Sequence, residues 1–365
     1  MRIRAAVVNR LGGPFEIEEL ELDDPIGQEV LVEVRASGLC HSDLHVVTSD
    51  FGFPFPAVFG HEASGVVLAT GPDVRDVEVG DHVVASLVQS CRDCDRCRAG
   101  RPYQCRHPES NGRGPDEPPR LRKPDGTPVF QGLGTAGFAS HALIHENQLA
   151  TVPADMPFPE AAILGCGTIT GAGAAINSAR VAAGDTVAVI GLGGVGLNVV
   201  SGAALAGARM VIGVDLQPSK LELSRRFGAT HTVDAGEHDP VEAVRALTDG
   251  GADHVFEVIG LAATTQQAIQ MAGVGGSVNL IGIHKPGTTV ALDVADMLIP
   301  QRVIRGVFMG STDIQRDIPR YAEYYRQGRM ELGGLIAHRI PLDAINDGYA
   351  ELRTGQSARS VITAF

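Results

Sequence analysis

The feature that most constrains the fold of this 365-residue chain is an apolar strand that runs directly into a glycine-rich turn. Residues 186–190 read Thr-Val-Ala-Val-Ile, and Gly191, Gly193 and Gly196 follow in the spacing G-x-G-x-x-G. A strand, a tight turn and a following helix form the first unit of a parallel sheet that carries helices on both faces. The sequence therefore predicts a doubly wound α/β domain in this part of the chain.

Strands and helices alternate after this turn, as a doubly wound domain requires. Predicted strands cover residues 186–190, 210–214, 253–258 and 277–281, and predicted helices cover residues 194–206, 218–227, 240–247 and 263–272. Beyond about residue 307 the pattern predicts two helices, at 314–327 and 342–353, and a strand at 360–365.

The first third of the chain has a different pattern. Residues 26–35 and 63–84 alternate apolar and polar side chains in short runs, which favours antiparallel strands with one buried face. Residues 106–128 are crowded with Pro, Gly and charged residues and predict a long surface loop. Because 365 residues exceed the size of one ordinary core, we expect two domains.

Composition excludes some partners and locations. The formal net charge of −13 argues against nucleic acid, because phosphate binding needs clustered Lys and Arg. No apolar stretch of about 18 residues occurs, so no membrane-spanning helix is expected. The N-terminus lacks the apolar core of a signal peptide, and we expect a cytoplasmic protein.

The glycine-rich turn predicts a dinucleotide site. Gly191 permits the tight turn, Gly193 lets the backbone approach a pyrophosphate, and Gly196 lets the helix pack closely on the strand. Asp215 ends the next predicted strand, where a carboxylate accepts hydrogen bonds from ribose hydroxyls and repels a 2′-phosphate. This predicts NAD rather than NADP, with Lys220 reaching the adenosine ribose. A glycine-rich turn beside a solvated aspartate is the alternative.

Four of the six cysteines lie close together in the segment 88–108. Cys91, Cys94, Cys97 and Cys105 have the spacing C-x2-C-x2-C-x7-C, and four thiolates complete a tetrahedral structural zinc site. The alternatives are disulfides or a reactive cluster, although disulfides are typical of small secreted domains.

The other two cysteines, Cys40 and Cys166, lie far apart with His61 between them in the sequence. Two thiolates and an imidazole leave the fourth zinc position open for water or substrate, as catalysis requires. From spacing alone, buried unliganded cysteines and a hydrogen-bonded structural histidine are the better-supported alternative.

The combination resembles the zinc-containing medium-chain alcohol dehydrogenases over nearly the whole chain. The sequence Gly-His-Glu-Ala-Ser-Gly at 60–65, the four-cysteine segment and the glycine-rich turn carry this resemblance in that order. Phe-Glu-Val-Ile-Gly at 256–260 and Ile-Asn-Asp-Gly at 345–348 are similar to the dimeric class I and class III branch, which includes glutathione-dependent formaldehyde dehydrogenase.

The resemblance implies two domains. A Rossmann doubly wound parallel sheet domain that binds NAD spans 168–307, and a β-rich GroES-like catalytic domain spans 1–167 and 308–365. It also implies a homodimer joined through the cofactor domains near residues 277–303.

The resemblance implies that Cys40, His61 and Cys166 bind the catalytic zinc. Glu62 then lies behind the metal and approaches it during ligand exchange. Asp43 matches the carboxylate that orients the liganding histidine, with a helix-capping aspartate as the alternative. Two zinc ions per chain are therefore expected, one catalytic and one structural.

The resemblance further implies a proton relay through Ser42 and His45. A serine hydroxyl is too weak a base alone, so His45 is the terminal acceptor. With the ligands and this relay complete, an enzyme is favoured over an idle zinc- and dinucleotide-binding protein.

Contacts with NAD are implied for residues spread along the chain: His41, Thr170, Gly191, Gly193, Gly194, Val195, Gly196, Asp215, Lys220, Ile281, Ile283 and Arg359. His41 stands where many members carry Arg, and Arg359 alone would be interpreted as a solvated surface charge.

The substrate-facing residues implied by the resemblance are Phe51, Leu87, Gly132 and Leu133. An aromatic Phe51 and a missing side chain at Gly132 predict an apolar pocket of uneven width, although each residue has an ordinary core interpretation. We expect reversible oxidation of primary medium-chain or aromatic alcohols to aldehydes.

Two other functions stay open. The formaldehyde-adduct branch uses basic residues at the pocket mouth, and Arg106, Arg113 and Arg120 lie in the corresponding region, although charges in loops are usually solvated. The second of these functions is that of an enzyme that keeps NAD(H) permanently bound.

Overall fold

The computed structural model describes residues 1–355 and 359–365 and divides the chain into two compact units. Unit 1 comprises Met1–Cys166, Asp313–Gln327 and Leu332–Phe365, and unit 2 comprises Gly167–Thr312 and Gly328–Glu331. The assignment of catalytic and cofactor roles to 1–167 with 308–365 and to 168–307 stays a prediction.

The strands of the described residues are β1 (Arg2–Val8), β2 (Phe15–Leu22), β3 (Glu29–Gly38), β4 (Ala57–Val58), β5 (Glu62–Thr70), β6 (His82–Ala85), β7 (Leu121–Arg122), β8 (Pro128–Gln131), β9 (His141–His145), β10 (Leu149–Thr151), β11 (Thr186–Ile190), β12 (Met210–Asp215), β13 (His231–Asp234), β14 (Ala252–Glu257), β15 (Ala272–Leu280), β16 (Val303–Gly306), β17 (His338–Pro341) and β18 (Ser360–Ala364). The α-helices are α1 (His41–Thr48), α2 (Asp95–Arg98), α3 (Phe158–Ala162), α4 (Gly167–Gly173), α5 (Gly194–Leu205), α6 (Pro218–Arg226), α7 (Pro240–Leu247), α8 (Ala262–Met271), α9 (Val294–Leu298), α10 (Ile314–Arg326) and α11 (Ile345–Thr354). None of these helices has the length and apolar character needed to cross a membrane.

Unit 1 is rich in β-structure. Strands β1, β2, β7, β8 and β4 close into a barrel, and a second sheet has the order β10-β6-β5-β3-β18-β17, with β9 also paired to β3. Alternating burial along β3 fits the alternation of apolar and polar residues in its sequence. A core that includes Leu20, Phe59 and Phe138 fills the barrel side of this unit.

The segment 106–128 differs from the expected irregular loop. It contains a 3₁₀ turn at Pro108–Asn111 and the strand β7, and it leads directly into β8. The prediction of a loop without elements was therefore wrong. The reason is a set of long-range ion pairs, described below, that hold this segment against β3.

Unit 2 is a parallel six-stranded sheet in the order β13-β12-β11-β14-β15-β16. The order reverses between β11 and β14, and the glycine-rich turn follows β11 at this point. Ligands of such sheets bind beyond the carboxyl ends of the strands, where the strand order reverses. The fold class predicted from the alternation is confirmed, whereas β13 and β16 had no clear signal in the sequence.

Candidate metal centre and dinucleotide loop

Three predicted metal ligands converge in unit 1. Cys40 lies immediately before α1, His61 immediately before β5, and Cys166 after a 3₁₀ turn at Ile163–Gly165. Their ligand atoms and a carboxylate oxygen of Glu62 all lie within 4.8 Å of one another, and all four residues are buried. Two thiolates and one imidazole are ligands that zinc prefers.

Asp43 orients the imidazole of His61 through a contact with its Nδ1 atom. Its Oδ1 lies 2.9 Å from Nδ1 of His61, and the backbone N–H of Gly60 donates to the same oxygen at 3.0 Å. Gly60 has φ +97° and packs against Phe138, so this turn favours glycine. The contact places the imidazole proton on Nδ1 and turns Nε2 toward the thiols.

The arrangement fits a bound divalent cation. Nε2 of His61 is buried and has no hydrogen-bond partner among the described residues. Burial lowers the pKa of His61, but the Asp43 carboxylate and the Cys40 thiolate outweigh it and raise that pKa well above its usual value. The surroundings of His61 thus favour positive charge, which a metal ion bound to Nε2 would supply.

Glu62 forms a buried ion pair with Arg359. Nη2 of Arg359 lies 2.6 Å from Oε1 of Glu62, and Nη1 donates to the Leu39 carbonyl at 3.4 Å. Arg359 is only 4% exposed, so the alternative interpretation as a solvated surface charge was wrong. Burial raises the pKa of Glu62 to about 7, although the guanidinium opposes this shift. The contact of Arg359 with a cofactor phosphate stays a prediction.

The predicted relay residues lie on α1. Ser42 is half-buried, with its Oγ 3.6 Å from Sγ of Cys40. His45 follows three residues later and is also half-buried, so both side chains lie on the same side of the helix. His41, the first residue of α1, is exposed.

The four clustered cysteines form a second group of potential metal ligands. The Sγ separations include 3.5 Å for Cys91 and Cys105, 3.6 Å for Cys94 and Cys97, and 4.0 Å for Cys91 and Cys97. A disulfide needs about 2.05 Å, whereas thiolates at about 2.3 Å from a tetrahedral zinc lie about 3.8 Å apart. All four cysteines are free, so the disulfide alternative was wrong, and the spacing fits zinc.

The glycine-rich turn of unit 2 has a geometry suited to a phosphate group. Gly191 has φ +94°, and a Cβ at Gly196 would lie 1.9 Å from the Gly191 carbonyl oxygen. Gly193 caps α5, and a Cβ there would meet nothing within 4 Å. Gly194 and Val195 form the first turn of α5, whose free N–H groups favour an anion.

Asp215 links this turn to the end of β12. Its Oδ2 accepts a hydrogen bond from the Leu192 N–H at 2.8 Å, and its Oδ1 accepts one from the Gln217 N–H at 3.0 Å. Each carboxylate oxygen keeps a second lone pair for a further donor. Asp215 is therefore a fixed negative charge beside the turn.

Four other predicted cofactor residues belong to unit 2. Thr170 is buried, with its Oγ1 3.5 Å from Sδ of Met309. Lys220 is half-buried on α6, Ile281 is half-buried just after β15, and Ile283 is exposed. Their contacts with NAD stay predictions.

The predicted substrate-facing residues have varied environments in unit 1. Phe51 is exposed, and Leu87 and Leu133 are half-buried. Gly132 packs against Phe59, where a Cβ would lie 2.3 Å from Cδ1 of that ring. The missing side chain at Gly132 therefore has a packing reason, and its part in a substrate pocket stays a prediction.

Sequence reasoning missed a buried ion-pair cluster. Arg113 contacts Glu29 at 2.6 Å and Asp23 at 2.5 Å, and Arg120 contacts Glu29 at 2.6 Å. The expectation of solvated loop charges was wrong for both arginines, because their partners lie far away in the sequence. Arg106 is exposed and lies 3.1 Å from an Asp95 carboxylate oxygen.

Comparison with known proteins agrees with this fold and site. An alcohol dehydrogenase GroES-like domain matches residues 27–154, and a zinc-binding dehydrogenase domain matches residues 194–324. An NDMA-dependent alcohol dehydrogenase of Amycolatopsis methanolica is 38% identical, with 99% of each chain covered. An S-(hydroxymethyl)glutathione dehydrogenase of Paracoccus denitrificans is 36% identical over 99% of this chain and 100% of its own. The crystal structure of benzyl alcohol dehydrogenase from Acinetobacter calcoaceticus has a TM-score of 0.92 and 35% identity, with both chains fully covered.

The fold and the two groups of ligands define a zinc-dependent oxidoreductase with a dinucleotide-binding sheet. This chain belongs to the zinc-containing medium-chain alcohol dehydrogenases. The family, its small-molecule chemistry and its use of zinc were predicted from the sequence and are confirmed. The prediction of a nicotinamide cofactor is supported by a similar zinc-binding dehydrogenase structure from Sinorhizobium meliloti, 28% identical with a TM-score of 0.84, which is bound to NADP.

Proposed function

We propose that this enzyme oxidises primary alcohols of medium-chain or aromatic type to aldehydes, with reversible hydride transfer to NAD. The convergence of Cys40, His61 and Cys166 in one buried group carries this proposal, because it supplies a zinc site with a position left for substrate. Similarity to a benzyl alcohol dehydrogenase supports an aromatic or comparably apolar alcohol.

When bound, zinc would supply a Lewis acid that lowers the pKa of the alcohol oxygen, and NAD would supply the hydride acceptor. Ser42, beside Cys40, accepts the proton that the alcohol loses. Because a serine hydroxyl is too weak a base to hold a second proton near neutral pH, Ser42 gives up its own proton as it accepts this one. His45, on the same side of α1, takes up the released proton and passes it to solvent. Asp43 keeps His61 in the required tautomer and orientation throughout.

NAD is proposed over NADP because of Asp215. Its carboxylate is fixed beside the glycine-rich turn by the Leu192 N–H. A fixed negative charge there accepts ribose hydroxyls and repels a 2′-phosphate. Lys220, five residues later in the first turn of α6, is proposed to reach the same ribose.

A thiol–formaldehyde adduct is the second candidate substrate, since a relative is an S-(hydroxymethyl)glutathione dehydrogenase. Such an adduct carries carboxylates and needs free basic residues. Arg113 and Arg120 are buried and neutralised by Glu29 and Asp23, and they offer no free charge to a ligand. This supports the simple alcohol over the adduct.

Retention of NAD(H) between turnovers is the third candidate, since another relative is an NDMA-dependent alcohol dehydrogenase. That form of the reaction would need an external acceptor to recycle the bound cofactor. The proposed alcohol chemistry is the same in both forms.

A homodimer is proposed through the edge of the unit 2 sheet. Among the described residues, β16 pairs with β15 on one side only. Val294, Leu298 and Ile299 nearby in the sequence are exposed apolar side chains. An edge strand without a second partner, next to apolar surface, favours self-association. Light scattering during size-exclusion chromatography would measure the mass of the assembly.

One set of assays tests these proposals. We expect two zinc ions per chain, and reduction of added NAD with hexanol and benzyl alcohol. A clear preference for ethanol would contradict the proposed pocket. Activity only with S-hydroxymethylglutathione would favour the second candidate, and nucleotide that survives gel filtration would favour the third.

A further inference from the structure

The side chain of Gln148 joins two segments that lie next to the metal ligands. Gln148 ends a 3₁₀ turn at Glu146–Gln148, just before β10, and is fully buried. Its Nε2 group donates to the Ser86 carbonyl at 2.9 Å and to the Leu133 carbonyl at 3.2 Å. Because both neighbours are carbonyls, the amide must present its NH₂ group to them, and both of its protons are used. One buried amide therefore holds the two segments together.

The first of these segments lies beside the ligand Cys166. Ser86 directly follows β6, and its N–H donates to the Gln148 backbone carbonyl at 2.9 Å. Gly165, which precedes Cys166, packs on the carbonyl oxygen of Ala85 with no room for a Cβ. Gln148 thus binds Ser86 through both its backbone and its side chain, next to the metal centre.

The second segment is a strained turn beside the ligand His61. Leu133 has φ 56° and Ala136 has φ 53°, in the left-handed region that residues other than glycine rarely adopt. Such strain persists only where the surrounding contacts over-determine it, and it is concentrated at functional sites. The Thr135 hydroxyl donates at 2.8 Å to the carbonyl of Gly60, which directly precedes His61. The turn is therefore fixed both to the metal centre and to the buried amide.

The two segments carry the half-buried residues Leu87 and Leu133, which are predicted to face the substrate. Leu87 directly follows Ser86, and the Leu133 carbonyl itself accepts the amide hydrogen bond. A Cβ on Gly134 would lie 2.5 Å from Oε1 of Gln148, so the turn leaves the space that the amide needs. The positions of both leucines relative to the metal ligands thus depend on one buried group.

We propose that Gln148 is a positioning residue that sets the width of the substrate pocket by fixing Leu87 and Leu133. This inference rests on the proposed function, since it requires an alcohol bound at the metal centre described above. Benzyl alcohol must pack its ring against the apolar wall, whereas ethanol has too few carbons to depend on it. Apolar contacts of this kind determine discrimination between substrates through kcat/KM.

Gln148→Met keeps the length of the side chain and removes both donors. We expect the ratio of kcat/KM for benzyl alcohol to that for ethanol to fall roughly tenfold, while kcat with ethanol stays within about twofold and both zinc ions are retained. Gln148→Asn, whose amide is one methylene shorter, should change the ratio in the same direction. An unchanged or higher ratio, or an equal loss of kcat/KM for both alcohols, would overturn the proposal. If neither variant folds with two zinc ions, Gln148 is a general structural residue and the proposal is equally overturned.

Asn147 offers a matched control in the same 3₁₀ turn. It is also buried, but its Nδ2 group donates at 2.9 Å to the carbonyl of Ser90, which precedes Cys91. Asn147→Leu should lower the Tm without changing the ratio for the two alcohols, because the lost contact holds the four-cysteine segment and not the pocket. An equal fall of the ratio in Asn147→Leu and Gln148→Met would show a general loosening of the unit and contradict a specific role.

A double variant tests the route through Leu133. Leu133→Ala should itself lower the ratio, and Gln148→Met should then lower it further by less than it does alone. Full additivity of the two substitutions would show that Gln148 does not act through this wall. If the natural enzyme prefers ethanol, or reduces NAD with neither alcohol, the proposed function itself fails. That failure is seen without any variant and is therefore distinguishable from failure of the inference.

Discussion

The guanidinium of Arg359 lies 2.6 Å from the carboxylate of Glu62, and both side chains are buried beside the thiols of Cys40 and Cys166. Two charges taken out of water attract each other strongly but lose their hydration, so such a pair contributes little net stability. Removing one partner is costly, because the other charge then stays buried without compensation. Arg359 thus balances negative charge at the metal centre.

The first prediction concerns this pair. Arg359→Leu should lower the free energy of unfolding by about 3–5 kcal/mol, as measured by urea denaturation of the zinc-loaded enzyme. A double variant, Glu62→Gln with Arg359→Leu, should recover a large part of this loss because no charge stays unpaired. A loss below about 1 kcal/mol in the single variant would be typical of an exposed pair and would contradict the buried geometry.

The second prediction separates the two groups of ligands. Cys166→Ser should abolish turnover and reduce the zinc content from two to one per chain, with the fold retained. Cys97→Ser should also lose one zinc but mainly lower the Tm, because a structural site stabilises the segment that surrounds it. Zinc analysis, circular dichroism and an alcohol assay measure these effects. Full turnover in Cys166→Ser would contradict the assignment.

The parts of the site with a local pattern could be predicted from the sequence. Gly191, Gly193 and Gly196 follow a strand and precede a helix, and the four clustered cysteines need no distant partner. Cys40 and Cys166 are different, since only the resemblance to a family joined them with His61. Sequence spacing carries no information about which distant side chains meet in the fold.

The remaining differences have the same physical origin. In the sequence, Arg113 and Arg120 resemble solvated loop charges. In the fold both contact Glu29, which lies 84 residues from Arg113 and 91 residues from Arg120 in the sequence. In the sequence, the missing side chain at Gly132 suggests space in a substrate pocket. In the fold, the Phe59 ring occupies the space where a side chain of residue 132 would lie. Both outcomes depend on tertiary packing, which local composition does not determine.

The third prediction is an acid-dependent stability from Glu29. Burial alone would raise the pKa of Glu29, but Arg113 and Arg120 lower it below its ordinary value of 4.5. A carboxyl with a lower pKa in the folded state stabilises the fold above the unfolded-state pKa, and this contribution is lost as the pH falls through the folded-state pKa. Glu29→Gln should therefore destabilise the enzyme at pH 7 and flatten the loss of stability below about pH 5.

Urea denaturation at several pH values measures this effect, and Glu19→Gln provides the control. Glu19 is exposed and lies 4.0 Å from Arg2, so its replacement should change stability by less than about 1 kcal/mol. An unchanged pH dependence in Glu29→Gln would show that the buried cluster does not couple protonation to folding.

The fourth prediction compares two glycines of the dinucleotide turn. A Cβ at Gly193 meets nothing within 4 Å, so Gly193→Ala should leave the Tm nearly unchanged while raising the KM for NAD, because the methyl group occupies the approach of the pyrophosphate. A Cβ at Gly196 would lie 1.9 Å from the Gly191 carbonyl oxygen, so Gly196→Ala should lower the Tm. A normal KM for NAD in a stable Gly193→Ala enzyme would contradict a phosphate site at this turn.

The last prediction concerns the choice of cofactor. In the natural enzyme the Leu192 N–H lies 2.8 Å from Oδ2 of Asp215. Asp215→Asn keeps one side-chain oxygen that can accept this hydrogen bond, but it removes the negative charge. Repulsion between two unit charges about 4 Å apart is about 1 kcal/mol in water and larger near a protein surface. The ratio of kcat/KM for NAD to that for NADP should therefore fall at least about fivefold, chiefly through better use of NADP. Asp234→Asn is the matched control, because Asp234 also ends a strand of the same sheet, in register with Asp215. An equal fall of the ratio in both variants would mean that overall charge, and not the position of Asp215 beside the glycine-rich turn, determines cofactor choice.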